Sequence, residues 1–302
     1  MIKVLLVDTL SQKALELLGE IPEFEVEIKA GLDQDRLKTE IRDYEAVVVR
    51  STILGKEILK EAVNLKIIVK AGIDLDNIDI EFARAGNIEV RNTPFATAIT
   101  MAEYTLAQML GICRFIGPAY RSMKTHHWER NLFANGSELH GKTAGIIGFG
   151  RIGKEVAKRE IAMGMDVLFY DSMDIKTNIG ARQVSLPELL SAADYISIHV
   201  PLTGSSRGLI SFTEFERMKE SVVLINTARS GVIDETALLD ALTKNKIKAI
   251  AIDVQEKEFR EKLEYIDNEK VFPTPYLGVS TVEGEERACV DVLAVLKEFF
   301  NV

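Results

Sequence analysis

Apolar residues fall along this chain in two rhythms: short unbroken runs, and longer stretches where they recur every three or four positions. The first ninety-odd residues carry the runs IKVLLVD, FEVEIKA, AVVVRS, KIIVKAG and IEVRNTP. Between them, helical spacing is read at about Ser11 to Gly19, Asp35 to Asp43, Lys56 to Ala62 and Ile80 to Ala85. Strands alternating with helices predict a parallel sheet covered on its faces. A long, mostly apolar helix is expected from Ala96 to Phe115, and then a polar, irregular arm over Arg121 to Leu139. A second alternation begins at Thr143 to Ile147 and runs through YISIHVP, VVLINTAR, KAIAIDV and VFPTPYLG, predicting a doubly wound sheet of about six strands. The last helix, about Val282 to Phe299, has no partner left there and should pack on the first unit. We therefore expect an α/β protein of two doubly wound parallel-sheet domains. The smaller, discontinuous one takes residues 1–95 and 281–302, and the larger takes 96–280. Bends are expected near Thr93 to Ala96 and Val279 to Thr281, with closure over a ligand.

One stretch, KTAGIIGFGRIGKEVAKREIAMGMDVLFYD, gives the larger domain its chemistry. Gly148, Gly150 and Gly153 form G-x-G-x-x-G between a strand and the helix opening at Arg151 and Ile152. The first glycine permits the tight turn, the second lets backbone approach a pyrophosphate, and the third lets helix and strand pack closely. Free N–H groups at the helix start favour the phosphates. Asp171 ends the next strand, where a carboxylate accepts hydrogen bonds from ribose hydroxyls and repels a 2'-phosphate. A Rossmann-type domain binding NAD rather than NADP is the expectation.

The 302 residues carry a formal net charge of −9, which disfavours nucleic-acid or anionic-membrane partners and leaves room for a local basic pocket for a small anion. Cys113 and Cys289 lie in apolar helical patterns without metal-ligand spacing, so neither a disulfide framework nor a metal site is expected. MIKVLLVD is too short an apolar start for a signal peptide, and we expect a cytoplasmic protein. The apolar helix and the arm bearing Trp128 would leave a large patch on a monomer, so a homodimer through them is expected.

Taken together, VRST from Val49, AGIDLDNID from Ala71, NTP from Asn92, WERNLFANGSELHGKT from Trp128, GFGRIG, HVPLT from His199, NTARSGVIDETAL from Asn226 and AIDVQEKE from Ala251 resemble the D-isomer-specific 2-hydroxyacid dehydrogenases over essentially the whole chain. The likeness is nearest to members acting on D-3-phosphoglycerate in serine biosynthesis. It implies hydride transfer between NAD and C2 of a small D-2-hydroxy acid, with glyoxylate, hydroxypyruvate or lactate chemistry as the alternative. Because the chain stops at residue 302, the regulatory domains of longer members, and serine feedback through them, are not expected.

By the same resemblance Arg229 pairs the substrate carboxylate and Glu258 tunes the acid-base residue, with Glu256 and Glu261 as neighbouring candidates. Asp253 meets the nicotinamide carboxamide. His199, Val200, Pro201, Thr227 and Ala228 line the cofactor, although a buried, backbone-bonded His199 is an equal alternative. Arg50, Ser51, Gly72 and Ile73 clasp the substrate. Arg50, Lys70 and Arg130 are candidates for a phosphate. Two departures stand out. Asp74 replaces a glycine near an anionic substrate, and Tyr276 occupies the position of the family's acid-base histidine. A phenol ordinarily titrates near 10, so it donates a proton at neutral pH far more readily than it accepts one. His126 or His127 as a substitute base, Tyr276 as a packing aromatic, and a cofactor-binding protein without turnover are the competing expectations.

Overall fold

Each strand pair is parallel among the residues described in the computed structural model, namely 1–9, 12–73, 75–93, 96–253 and 265–302, with 12–15 by backbone alone. The chain divides into two compact units. Unit 1 comprises Met1–Ala98 with Ser280–Val302, and unit 2 comprises Ile99–Val279.

Unit 1 has five strands, β1 (Ile2–Leu6), β2 (Phe24–Ile28), β3 (Ala46–Val49), β4 (Ile67–Lys70) and β5 (Glu89–Asn92), in the order β2-β1-β3-β4-β5. Successive residues of a strand point to opposite faces. Val4, Leu6, Val48, Ile67 and Val69 meet Leu18 and the Cys289, Val292 and Leu296 stripe of the C-terminal helix Val282–Phe300. Leu5, Val47, Val49 and Ile68 meet Leu37, Ile41, Ile58 and Leu59 on the other face. Burial on both faces explains why these strands are apolar throughout rather than alternating. Each fully buried side chain of this size contributes about 1.5–3 kcal/mol.

Unit 2 has seven strands: β6 (Thr143–Ile147), β7 (Asp166–Tyr170), β8 (Arg182–Gln183), β9 (Tyr195–Ile198), β10 (Val223–Asn226), β11 (Ala249–Asp253) and β12 (Val271–Thr274). Their order is β12-β11-β10-β9-β6-β7-β8. The chain thus leaves β6 in one direction and returns beside it at β9, the switch point where doubly wound sheets bind ligands. The seventh strand, β8, is two residues paired to Leu168 and Phe169, too short to show a period in the sequence. Pro273 is accommodated because β12 is an edge strand.

The helix Ala98–Cys113 is followed, after a left-handed Phe115, by a second helix, Ile116–Lys124, whose last four residues, from Arg121, fall where the irregular arm was expected to begin. Gly117 and Pro118 hide it from the sequence, yet Pro118 lies in the first turn, where its missing N–H has no intrahelical partner to lose. Beyond it the arm includes a single 3-10 turn, Arg130–Phe133.

A titratable group sits inside unit 2. Glu160, on the helix Arg151–Ala162, is 0% exposed, and neither carboxyl oxygen has a hydrogen-bond partner. Burial pushes its carboxyl up to about 8, so it holds its proton at neutral pH.

Candidate cofactor and active site

The turn from β6 into the helix Arg151–Ala162 has the backbone a dinucleotide needs. Gly148 has φ +94°, and a Cβ there would lie 2.8 Å from Val200 Cγ1. A Cβ on Gly153 would lie 2.2 Å from the Gly148 carbonyl oxygen, so only glycine allows the helix to start this close. At Gly150 a Cβ would meet nothing within 4 Å, and this residue caps the helix without a side chain. The open side of the turn and the helix N–H groups together make an anion cradle. Half-buried Ile152 packs on the core, and Arg151 is exposed at the helix start.

Asp171 follows β7. Its Oδ2 accepts from the Phe149 N–H at 2.8 Å and its Oδ1 from the Met173 N–H at 3.1 Å. These bonds tie the carboxylate to the glycine turn while each oxygen keeps a further acceptor site.

His199, Val200 and Pro201 follow β9, against Gly148. His199 Nδ1 lies 3.0 Å from Thr227 Oγ1, whose own hydroxyl donates to the Ile198 carbonyl at 3.3 Å. Nδ1 is therefore assigned the proton, which leaves Nε2 as an acceptor that is buried and has no partner. Burial pushes this imidazole down to about 3, so it is neutral at physiological pH and does no acid-base work there. A buried, vacant acceptor beside the glycine turn fits a lining position for a dinucleotide.

After β10, Asn226 shapes the turn: its side chain accepts from the Ala228 N–H at 3.1 Å and donates to the Arg229 carbonyl at 3.4 Å. This presents Thr227, Ala228 and Arg229 at the carboxyl end of a central strand. The Arg229 guanidinium lies over the Tyr276 ring, 5.9 Å from its centroid, a cation–π contact. Tyr276 has φ +54°, an uncommon conformation for a bulky residue.

Asp253 holds that turn in place. Its Oδ1 accepts from the Leu277 N–H and the Thr274 hydroxyl, both at 2.8 Å, and its Oδ2 from the Gly278 N–H at 2.8 Å. Tyr104 adds a hydroxyl at 3.3 Å, and burial pushes that phenol up to about 12. A Cβ at Gly278 would come within 2.9 Å of Asp253 Oδ2. Asp253 thus anchors the turn carrying Tyr276, a task the sequence did not disclose. Glu258, with Glu256, Glu261 and Asp74, lies outside the described residues. His126 and His127 are exposed on the arm.

In unit 1 the loops after β3 and β4 carry Arg50, Ser51, Gly72 and Ile73. Asp8, just past β1, accepts from the N–H groups of Arg50, Ser51 and Thr52 and from the hydroxyls of Ser51 and Thr52. Burial opposes its ionisation, yet these donors hold its carboxyl below the usual range. Gly72, at φ +149°, donates its N–H to Thr93 Oγ1 at 2.9 Å, and the Ile73 carbonyl accepts from Asn92 at 2.6 Å. Of the phosphate candidates, Lys70 is buried and donates to the Arg50 carbonyl and to Asn77 Oδ1, and Arg50 is ion-paired to Glu285. Arg130 lies in the arm's 3-10 turn. Sequence reasoning missed Asp8, Asn77 and Glu285. Asp8 had a signal, an acid at the carboxyl end of a parallel strand, and the other two had none. Among the described residues no cluster of His, Cys, Asp and Glu is placed to hold a metal ion.

A glycine turn at the switch point, a tethered terminal acid and a vacant buried acceptor define a dinucleotide-binding α/β protein with a second parallel-sheet unit. Residues 106–278 match the model of the D-isomer specific 2-hydroxyacid dehydrogenase NAD binding domain. The chain is 43% identical over 290 residues to the D-3-phosphoglycerate dehydrogenase of Archaeoglobus fulgidus, covering 94% of this chain and 54% of that one. It is 41% identical over 292 residues to the hydroxypyruvate reductase of Thermotoga maritima, covering 95% and 94%. Among solved structures it resembles the D-lactate dehydrogenase of Aquifex aeolicus in complex with NAD and lactic acid, with a TM-score of 0.82 and 28% identity, over 99% of this chain and 95% of that one. The chain belongs to the D-isomer specific 2-hydroxyacid dehydrogenase family, and its cofactor is NAD. It spans only about half the length of the curated phosphoglycerate dehydrogenases it matches, 54% and 57% for the first two.

Proposed function

We propose that this chain is an NAD-dependent dehydrogenase of a small D-2-hydroxy acid, running most readily as a reductase of the 2-keto acid. The observation that carries the reading is the pairing of Arg229 with Tyr276 at the carboxyl ends of β10 and β12, in the unit that binds NAD. NAD supplies or accepts the hydride. The Arg229 fork holds the substrate carboxylate in two places. The Tyr276 hydroxyl gives its proton to the C2 oxygen during reduction. Alcohol oxidation asks the same oxygen to take the proton, a role a phenol fills less readily than donation, so reduction is the faster direction. Glu258 and Asp253 keep their expected places in this reading as the tuning carboxylate and a nicotinamide-side contact. Asp253 does so while anchoring the Tyr276 turn.

Two substrates have named relatives behind them, D-3-phosphoglycerate and hydroxypyruvate, and the first would place the chain in serine biosynthesis. A homodimer is part of the reading, supported by the exposed Leu110, Ile116, Tyr120, Met123, Trp128 and Leu132 on one stretch of unit 2. So is a cytoplasmic setting, supported by two buried, free cysteines.

The test is initial-rate reduction of glyoxylate, pyruvate, hydroxypyruvate and 3-phosphohydroxypyruvate with NADH, by the parent and by Tyr276→Phe. The variant is expected to lose about 100-fold or more in rate. Equal rates and pH profiles would remove Tyr276 as the acid and turn attention to His126 and His127. No reduction by the parent would leave an NAD-binding protein without turnover.

A further inference from the structure

Past Thr274, where β12 ends, the turn carrying Tyr276 closes on itself and on Asp253: the Tyr276 N–H donates to the Thr274 carbonyl at 3.1 Å, and the N–H groups of Leu277 and Gly278 both end on the Asp253 carboxylate. Alone, that leaves one carboxylate to hold a bulky residue at φ +54°. The helix Ala98–Cys113 adds the rest. Ala102, Met109, Ile112 and Cys113 fix it in the core of unit 2, while Met101, Tyr104 and Gln108, spaced three and four residues apart, share one stripe along it. That stripe meets the turn. A Cβ on Gly278 would lie 2.7 Å from Met101 Sδ. The Tyr104 hydroxyl bonds to the Thr274 hydroxyl and reaches Asp253 Oδ1 at 3.3 Å, and Gln108 Nε2 donates to the same phenolic oxygen at 2.6 Å. A phenol that accepts from Gln108 turns its own proton to the other side, toward Thr274, whose hydroxyl in turn donates to Asp253 Oδ1 at 2.8 Å. The donors therefore run one way, from Gln108 to Tyr104 to Thr274, and end on the carboxylate that holds the turn.

We propose that Tyr104, oriented by Gln108, is a positioning residue for the Tyr276 acid: through Thr274 and Asp253 it keeps the turn in the one conformation that sets the phenol against Arg229. This rests on the dehydrogenase reading above and deepens it, and it draws on residues of unit 2 alone. Removing the Tyr104 hydroxyl deprives the Gln108 amide of its acceptor and withdraws a donor from the Thr274 and Asp253 pair. A left-handed tyrosine persists only while its surroundings over-determine it, so the loosened turn samples neighbouring conformations in which the Tyr276 hydroxyl is displaced. Proton transfer falls steeply with such displacement. Arg229 is set separately, by the Asn226 turn after β10, and keeps its hold on the substrate carboxylate. The loss therefore falls on kcat and leaves KM in place.

The experiment compares the parent with Tyr104→Phe, Tyr276→Phe and the double variant, in the full chain with NADH and hydroxypyruvate. Tyr104→Phe is expected to lower kcat about tenfold with KM nearly unchanged, the loss that a displaced proton donor gives. In the Tyr276→Phe background the same substitution should cost nothing further, because it acts through a hydroxyl already removed. An unchanged kcat, or an equal loss in both backgrounds, would overturn the proposal and leave Tyr104 a packing residue of its helix. Gln108→Leu keeps the phenol and removes its orienting donor. It should lower kcat in the same direction even if Tyr104→Phe fails to fold, and a parent-like kcat there overturns the proposal as well. Fluorine NMR of the chain with 3,5-difluorotyrosine in place of Tyr276 reads the turn without turnover. One sharp resonance is expected, broadened or split by Tyr104→Phe. If the parent reduces no keto acid, the dehydrogenase reading fails on its own. A broadened resonance then still supports the positioning of the turn by Tyr104, and an unchanged one defeats it.

Discussion

Both units are parallel sheets covered by helices on two faces, and they differ in how the carboxyl ends of their strands are finished. In unit 1, the polar groups there bond to one another: Asp8 to the β3 loop, Lys70 to Arg50 and Asn77, and Arg50 to Glu285. Unit 2 finishes the same region differently. A glycine turn faces open space at Gly150, His199 Nε2 lacks a partner, and Tyr276 is held in a left-handed conformation over Arg229. The architecture is shared, so the architecture does not locate the chemistry. What sets unit 2 apart at its strand ends is the unpartnered His199 Nε2 beside the glycine turn and the positive-φ backbone that Asp253 holds at Tyr276.

The largest expected effect that would sharpen this contrast comes from Arg229→Gln. Losing a bidentate, charge-assisted pair should lower kcat/KM for keto-acid reduction by about 1000-fold. NADH affinity by fluorescence titration should hold. A variant keeping a tenth of the parent's activity would take Arg229 out of substrate binding.

Next in size is an opposite response of the two units to pH. Asp8 has a folded value below its ordinary 3.8, so its stabilisation is present above 3.8 and is lost as pH falls through the lower folded value. Asp8→Asn should cost about 1–2 kcal/mol at pH 7, a modest figure because the side chain is still partly exposed, and the cost should shrink toward acid. Glu160 runs the other way. Its folded value of about 8 lies above the ordinary 4.5, so its contribution is whole below 4.5 and is lost as pH rises to about 8. Relative to the parent, Glu160→Gln should gain about 1.4 kcal/mol per pH unit through that window. Denaturant unfolding from about pH 2 to 8 checks both: curves parallel to the parent's below pH 4 for Asp8→Asn, or between 4.5 and 8 for Glu160→Gln, would show that the group in question does not titrate on folding.

The smallest expected effect concerns the cofactor. Asp171→Asn should raise the affinity for NADPH relative to NADH by about tenfold, read by calorimetry. A parent that binds both equally would end the ribose assignment for Asp171.

What the sequence disclosed and what it hid divide along a physical line. The α/β alternation, the glycine turn and the NAD domain were legible because each is local: a period, or a spacing within one strand-turn-helix unit. The helix Ile116–Lys124 was hidden by Gly117 and Pro118, whose usual reading as breakers fails in a first turn. β8 was hidden by its length of two residues. The state of the candidate cations was hidden most deeply. Whether Arg50 and Lys70 are available depends on Glu285 and Asn77, and no periodicity ties Arg50 to a partner 235 positions away. Asp253 shows the same limit, since the N–H groups it clamps lie 24 and 25 residues further on.

Pro273 has a consequence for how copies of this protein meet in a crowded solution. The bond from the Ile250 N–H to the Lys270 carbonyl, at 2.9 Å, sets the alternation of β12. Lys270, Phe272 and Thr274 direct their backbone groups to β11, and Val271 and Pro273 direct theirs away from it. At Pro273 that outward side has no N–H to offer. An extended segment from another molecule that tried to zip along this margin would lose a rung midway, and two residues later it would meet Pro275. The margin that leads into the Tyr276 turn is thereby a poor template for strand recruitment and fibril growth.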